Sequence, residues 1–247
     1  MKYSILMPYF RRPGHFYNTL TSFVHHYHKR NDYEVLIMED SKEIEDPEYY
    51  QALLGVLRRF ENKVPIVHHR MTRRTWNPCL AYNKAAELAK GEYYLITNPE
   101  CFHETNILRQ LDVIMEYDLF KVNTYIFCAC ANKKECNLYI DKVNDLGGVH
   151  EMWYQHSLGN NRRLHFCSVL SKDNWNKIGG FDEDFANGIA YEDVNFLERI
   201  YNAKLNVVLR DDLMTIHISH KYLFKPKPEE LTVSNRALVF EKRKEMR

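Results

Sequence analysis

Four short apolar runs, Tyr3 to Met7, Tyr33 to Met38, Val64 to His68 and Glu92 to Ile96, alternate with segments of helical periodicity through the first hundred residues. That alternation is the pattern of βαβ units and restricts the chain to an α/β class with a mainly parallel sheet flanked by helices. Val35-Leu36-Ile37-Met38 and Tyr93-Tyr94-Leu95-Ile96 are nearly continuous in apolar character, so these are central strands covered on both faces. Helices are expected near His15 to His28, Glu48 to Phe60, Glu104 to Tyr117 and Lys172 to Ile178. Another runs from a cap at Asn77, with Pro78 at its first position, to a stop at Gly91. Later strands are expected at Leu164 to Leu170, Asn206 to Leu209 and Met214 to Ile218, with a charged final helix after Pro226 and Pro228.

At 247 residues the chain suits one large domain or one domain with an appendage. Its 34 basic and 33 acidic residues balance to +1, so no global field argues for nucleic acid or an anionic membrane. Apolar runs fall short of the roughly 18 to 20 residues a spanning helix needs, and the opening stretch breaks at Pro8, so the expected location is cytoplasmic. The six cysteines lack paired metal-site spacing, and Cys128 and Cys130 in the run Tyr125 to Ala131 are expected to pack together on one face.

Two stretches carry the chemistry. Gly179-Gly180-Phe181-Asp182-Glu183 sets a glycine turn ahead of Tyr191-Glu192-Asp193, which opens a segment with Val194, Leu197, Ile200 and Tyr201 on one face. Glu192 and Asp193 thus fall in a first helical turn, where the helix dipole is expected to keep both ionised. The second stretch is the set of strand ends, because ligands of open parallel sheets bind there. These ends are polar: Pro8-Tyr9-Phe10-Arg11-Arg12, Glu39-Asp40-Ser41, His68-His69-Arg70 with Arg73-Arg74, and Thr97-Asn98-Pro99-Glu100. Neither GxGxxG after the first strand nor GxxxxGK[ST] is present, which disfavours a dinucleotide dehydrogenase and a P-loop NTPase. From Asn132 to Arg163 the periodicity fades into an aromatic-bearing loop or lid.

The order Ser4-Ile5-Leu6-Met7-Pro8-Tyr9, Val35 to Ser41, Asn83-Lys84-Ala85-Ala86 to Leu95, Gly179 to Glu183 and Tyr191-Glu192-Asp193 resembles the inverting GT-A glycosyltransferases of the large family 2, over roughly residues 3 to 220. The resemblance implies a GT-A fold for residues 1–220, with a donor-nucleotide half (1–100) and an acceptor half (101–220), and then a C-terminal tail and helix (221–247). It implies an inverting transferase that moves a sugar from a nucleoside-diphosphate donor, a UDP-sugar foremost, to an acceptor hydroxyl of a carbohydrate or glycoconjugate. Pro8 and Tyr9 would line the nucleoside pocket, and Glu39 and Asp40 would bind base or ribose. Arg11, Arg12 or Arg74 would reach the diphosphate.

The family's DxD metal motif would fall at Asn98-Pro99-Glu100, where the chain departs from the pattern by one unit of negative charge. Glu100 would hold Mn²⁺ or Mg²⁺ together with His217, or His220 as the alternate, with His103 a weaker candidate. Imidazole ligation favours manganese. Asp193 would be the general base, Glu192 would bind sugar hydroxyls, Asp182 would brace the glycine turn, and Trp153 and His156 would face the acceptor. Two other readings stay open: a sugar-nucleotide-binding protein of the same fold with little turnover, and a transferase acting on modified nucleic acid bases through the basic clusters at 70–74, 162–163 and 242–244.

Overall fold

The computed structural model describes residues 1–40, 47–71, 78–116, 123–133, 152–220 and 229–245. Nine strands form one sheet in the order β3-β2-β1-β4-β8-β6-β9-β5, with β7 paired to the far end of β6. They are β1 (Tyr3–Tyr9), β2 (Tyr33–Glu39), β3 (Ile66–Arg70), β4 (Tyr93–Thr97), β5 (Cys101–His103), β6 (Thr124–Lys133), β7 (Met152–Gln155), β8 (Cys167–Ser171) and β9 (Asn206–Ile218). The helices are α1 (Pro13–Tyr27), α2 (Pro47–Phe60), α3 (Cys79–Leu88), α4 (Ile107–Glu116), α5 (Lys172–Ile178), α6 (Glu192–Asn202) and α7 (Glu229–Glu245).

The parallel ladder expected from the first hundred residues is confined to that half, β3-β2-β1-β4. From β4 onward the sheet is mixed: β4 with β8, β8 with β6, β6 with β7 and β5 with β9 are antiparallel, whereas β6 with β9 is parallel. Alternation along each strand feeds two cores. Tyr3, Ile5, Met7 and Tyr9 of β1, with Val35 and Ile37 of β2, pack under Phe16, Leu20, Phe23 and Tyr27 of α1 and the apolar stripes of α2 and α4. Leu6, Leu36, Met38, Tyr94 and Ile96 face the other way and pack under Tyr82 and Ala85 of α3, Trp175 of α5 and Phe196 of α6.

Several boundaries differ from the sequence reading. Helix α3 begins at Cys79 with Pro78 as its cap residue, Asn77 lies outside the described residues, and the helix ends at Leu88 with Ala89 extended. Gly91 serves a different purpose: a Cβ there would sit 2.6 Å from the backbone nitrogen of Ser4, so glycine permits the chain to abut β1. The two strands expected at 206–209 and 214–218 are one strand, β9. A register shift opposite Cys128 and Ala129 carries Asp211 to Leu213 out of the ladder. Cys128 and Cys130 are both fully buried, but of the two Cys128 alone joins the larger apolar cluster.

Candidate functional site

The short ladder between β5 and β9 builds the first half of the site. Cys101 pairs with His217, and the Ile218 amide donates to the Glu100 carbonyl at 3.0 Å, so Glu100 and His217 are fixed side by side. His220 lies just past the end of β9 and turns back toward the same carboxylate. Its Nε2 lies 3.4 Å from Glu100 Oε1, and that of His217 lies 3.8 Å away. One ligand atom from each of Glu100, His217 and His220 falls within 4.8 Å of the others, a spacing that suits a single cation. The sequence offered His217 and His220 as alternates, and the fold brings both to Glu100.

Arg12, at the start of α1, donates from Nη1 to Glu100 Oε1 at 2.6 Å. Burial would raise the Glu100 carboxyl, but Arg12, His220 and His217 outweigh it and hold the group well below the usual carboxylate range. Burial also lowers His217 to about 4, which leaves its imidazole neutral and able to ligate near pH 7. Glu100 Oε2 and His217 Nδ1 are buried without a hydrogen-bond partner. Orphaned buried polar atoms on two neighbouring residues are costly, and a carboxylate with two imidazoles is a donor set that fits a divalent ion.

The second half is the acidic turn. Gly179 and Gly180 have φ of 81° and 66°, and Asn83 of α3 clamps the next residue, Phe181. Its Nδ2 donates to the Phe181 carbonyl at 2.9 Å, and its Oδ1 accepts from the Phe181 amide at 2.9 Å. A Cβ at residue 180 would lie 2.7 Å from that same oxygen. The chain then passes a 3-10 turn, Glu183–Asn187, capped by Asp182, and enters α6 at Glu192. Asp193 sits in the first turn and is half-buried, with Oδ1 accepting from the Val194 amide at 2.7 Å. Its carboxyl is pushed up by burial, against the lowering effect of that amide. The helix start favours the ionised form of Asp193, and burial acts in the opposite direction.

Two links join the halves. Tyr82 of α3 donates to Asn98 Oδ1 at 2.6 Å and stacks on Phe181 with centroids 4.9 Å apart. The charges of Glu100 and Glu192 both act on its hydroxyl. Residues 165 and 166, just before β8, touch both halves in succession: His165 Nε2 lies 3.3 Å from the Asp193 carbonyl, and the Phe166 ring lies 4.8 Å from that of His217. Adjacent Cα atoms are about 3.8 Å apart, so the cation pocket and Asp193 flank one dipeptide.

The remaining candidates are more dispersed. Pro8 and Tyr9 end β1, but the Tyr9 ring is buried against Phe16, 5.3 Å between centroids, and belongs to the core. Glu39 is fully buried and accepts from His68 Nε2 at 2.7 Å, with Arg70 Nε at 3.7 Å from the same oxygen. Asp40 comes next, its amide donating to the Tyr9 carbonyl at 3.0 Å. Arg11 has φ of 48° and lays its guanidinium over Phe10 and Tyr49, 4.8 and 5.8 Å from the ring centres. Asn98 spends its carbonyl on Tyr82. Arg74 and the segment 134–151 lie outside the described residues. His103 is a core residue, 2.6 Å from the Tyr27 hydroxyl and lowered to about 3 by burial. Asp182 pairs with Lys242 of α7 at 3.2 Å. Trp153 and His156 pack on each other with ring centres 4.3 Å apart, and His156 faces Asp211 at 3.6 Å. Tyr82 and His165 were not singled out from the sequence. Nothing local shows that the His165 imidazole reaches a helix start 28 residues away.

No family model matches the sequence, and no curated protein matches it. Solved structures do. The S. aureus TarS 1-349 structure in complex with UDP-GlcNAc superposes with a TM-score of 0.67 at 14% identity, covering 97% of this chain and 65% of that one. The mannosyltransferase PcManGT from Pyrobaculum calidifontis, in complex with GDP-Man and Mn²⁺, gives 0.60 at 13% identity, covering 97% of this chain and 64% of that one. A further TarS 1-349 structure gives 0.63 at 14% identity, covering 88% and 60%. At these identities the likeness shows a shared α/β fold, and this chain spans less than two thirds of those chains. Among the described residues no helix is long and apolar enough to cross a membrane.

Proposed function

We propose that the chain is a metal-dependent inverting glycosyltransferase that uses a nucleoside-diphosphate sugar. The observation that carries this reading is the Glu100, His217 and His220 cluster, whose His217 packs on Phe166 while the adjacent His165 reaches the backbone carbonyl of Asp193. The fold shared with structures holding UDP-GlcNAc, and GDP-Man with Mn²⁺, supports it.

In this reading Glu100, His217 and His220 hold Mn²⁺ in preference to Mg²⁺, since imidazole ligands suit the softer ion. When bound, the ion would supply positive charge against the departing diphosphate. The strand ends at Pro8, Tyr9, Glu39, Asp40 and Asn98 frame the nucleotide, a UDP moiety foremost, and Arg11 and Arg74 offer charge to its phosphates. Asp193 takes the proton from an acceptor hydroxyl while that oxygen attacks the anomeric carbon. The bond to the diphosphate oxygen breaks with its electron pair on the leaving group. A single in-line displacement inverts the configuration. Glu192 binds sugar hydroxyls, and the desolvated setting of Asp193 makes it the stronger base. The acceptor is a carbohydrate or glycoconjugate, approached from the side of Trp153 and His156.

A panel of nucleotide sugars tested by thermal shift with and without Mn²⁺ checks the donor, because ligand binding to the folded state raises apparent stability. One donor should raise Tm in a Mn²⁺-dependent way and be slowly hydrolysed to its nucleoside diphosphate. Silence across the panel would remove the reading. A second reading, a sugar-nucleotide-binding protein with little turnover, is favoured by the Arg12 guanidinium seated on Glu100 Oε1. Tight donor binding with no release of nucleoside diphosphate would select it.

A further inference from the structure

The backbone that delivers Glu192 and Asp193 is strained. Ala190 and Tyr191 immediately precede them with φ of 63° and 70°, two consecutive side-chain-bearing residues in the left-handed region. L-residues avoid that region because Cβ crowds the carbonyl, and a run of two persists only where the surroundings over-determine it. Tyr191 is the cap residue of α6, yet its side chain makes no capping hydrogen bond, so local capping chemistry does not hold the turn.

The restraint comes from the C-terminal helix. Asn235 of α7 is 2% exposed, and its Nδ2 donates to two carbonyls of the turn: Ala190 at 2.8 Å and Phe185 at 3.1 Å. Gly188 makes the room, since a Cβ there would collide with Asn235 Oδ1. Around this contact the Ile189 amide donates to the Leu231 carbonyl at 3.2 Å, Lys242 reaches Asp182 and Asp184 at 3.2 and 2.5 Å, and Arg243 pairs with Glu198 of α6 at 2.5 Å. Helix α7 therefore grips the segment ahead of Asp193 and the helix after it. His165 contacts the Asp193 carbonyl.

We propose that α7 is a clasp and Asn235 a positioning residue, holding Ala190 and Tyr191 in the left-handed conformation so that Glu192 and Asp193 face the acceptor. The inference rests on the transferase reading for its catalytic consequence, whereas the clasp itself is testable without turnover. Two carbonyls are satisfied by the two hydrogens of one buried amide, and aspartate, having no N–H, cannot replace them.

The test compares wild type, Asn235→Ala, Ala190→Gly and the double variant, because glycine adopts positive φ without the Cβ penalty. Hydrogen exchange across residues 189–194 reads the clasp directly. Asn235→Ala should speed exchange there by about 10-fold while the β1–β2 amides keep their rates, and Ala190→Gly should reverse part of the gain. With a donor in hand, kcat should fall by about 10- to 100-fold in Asn235→Ala at a donor KM within about 2-fold of wild type, since misplaced groups lose rate more than binding. Adding Ala190→Gly should restore several-fold of the lost kcat. Unchanged exchange and kcat in Asn235→Ala would overturn the proposal. So would a loss spread evenly over the whole molecule that glycine at 190 does not reverse. A wild type inert to every donor, with the exchange pattern intact, would sink the transferase reading and leave the clasp standing.

Discussion

The two acidic centres of the site are built in opposite ways. Glu100 lies among cations and potential cations, Arg12, His217 and His220, and is held as a carboxylate far below its ordinary range. The Asp193 carboxyl instead accepts from a backbone amide, a buried neutral His165 lies at its backbone carbonyl, and burial raises it. A carboxylate that is always charged is suited to hold a cation, and one whose charge is costly gains by accepting a proton. The difference teaches that two chemically alike acids are given opposite charge behaviour by what surrounds them.

The largest test of that division is Asp193→Asn, which keeps the shape and removes the base. Turnover of donor in the presence of acceptor should drop by about 1,000-fold, within the range general base catalysis supplies, while the Mn²⁺-dependent thermal shift with donor stays. In wild type the acid limb of kcat/KM should lie above the ordinary aspartate range, because the carboxylate must be ionised to act and burial raises its pKa. Glu192→Gln should cost less rate than Asp193→Asn. Equal losses from the two would dissolve the distinction between them.

Next comes the cation side. Glu100→Gln, His217→Ala and His220→Ala should each weaken Mn²⁺ binding by about 100-fold, at or above the roughly 10- to 100-fold typical of groups outside the ligand set. Isothermal titration with Mn²⁺ alone reads this without reference to turnover. If His220→Ala binds like wild type, the pocket is a two-ligand site and the sequence alternative between the two histidines was the correct form.

Legibility in the sequence depends on where the information resides. The βαβ half announces itself because each strand and helix carries its own periodicity, so β1 and β2 were readable nearly to the residue, as was α5 in the other half. Strand β5, three residues long, has no period to detect and exists by pairing with β9, and that pairing brings Glu100 to His217. The break read in β9 was the polar Arg210-Asp211-Asp212, which the fold accommodates as a register shift within one strand. The glycine turn and the α6 start were visible, since glycine and first-turn acids are local signals. The raised carboxyl of Asp193 was not, because desolvation comes from segments distant in sequence. Asn235 was invisible for the same reason: a single amide in a charged helix, with its partners 45 and 50 residues away.

Acid stability probes two buried neutral imidazoles, His165 beside the Asp193 backbone carbonyl and His103 in the core against Tyr27. Burial holds His165 at about 4 and His103 at about 3, against an ordinary 6.5. Between pH 6.5 and those values the unfolded chain binds protons that the folded chain refuses, so stability should fall as pH drops through the window and be fully present above it. Each such group contributes a slope of about 1.4 kcal/mol per pH unit, readable by urea unfolding at stepped pH. His165→Gln should remove one such slope between pH 6.5 and about 4, whatever it does to stability at pH 7. An unchanged slope would mean that His165 is already charged, and the contrast between the two surroundings would then be smaller than the geometry indicates.

The smallest effect, and the sharpest for the comparison, is expected at Arg12. Its guanidinium occupies Glu100 Oε1 at 2.6 Å and is itself 22% exposed, so it supplies positive charge where a divalent ion would bring its own. Two cations on one carboxylate repel, and partial exposure screens the repulsion to a modest size. Arg12→Met, which keeps the length of the stem, should tighten Mn²⁺ binding in the absence of donor by about 5- to 10-fold. Glu100, freed of one cation, should also protonate at higher pH in the metal-free protein, moving toward the behaviour of Asp193. If Mn²⁺ instead binds more weakly without Arg12, the guanidinium orients Glu100 for the ion rather than competing with it, and the two carboxylates differ by their positioning as much as by their charge.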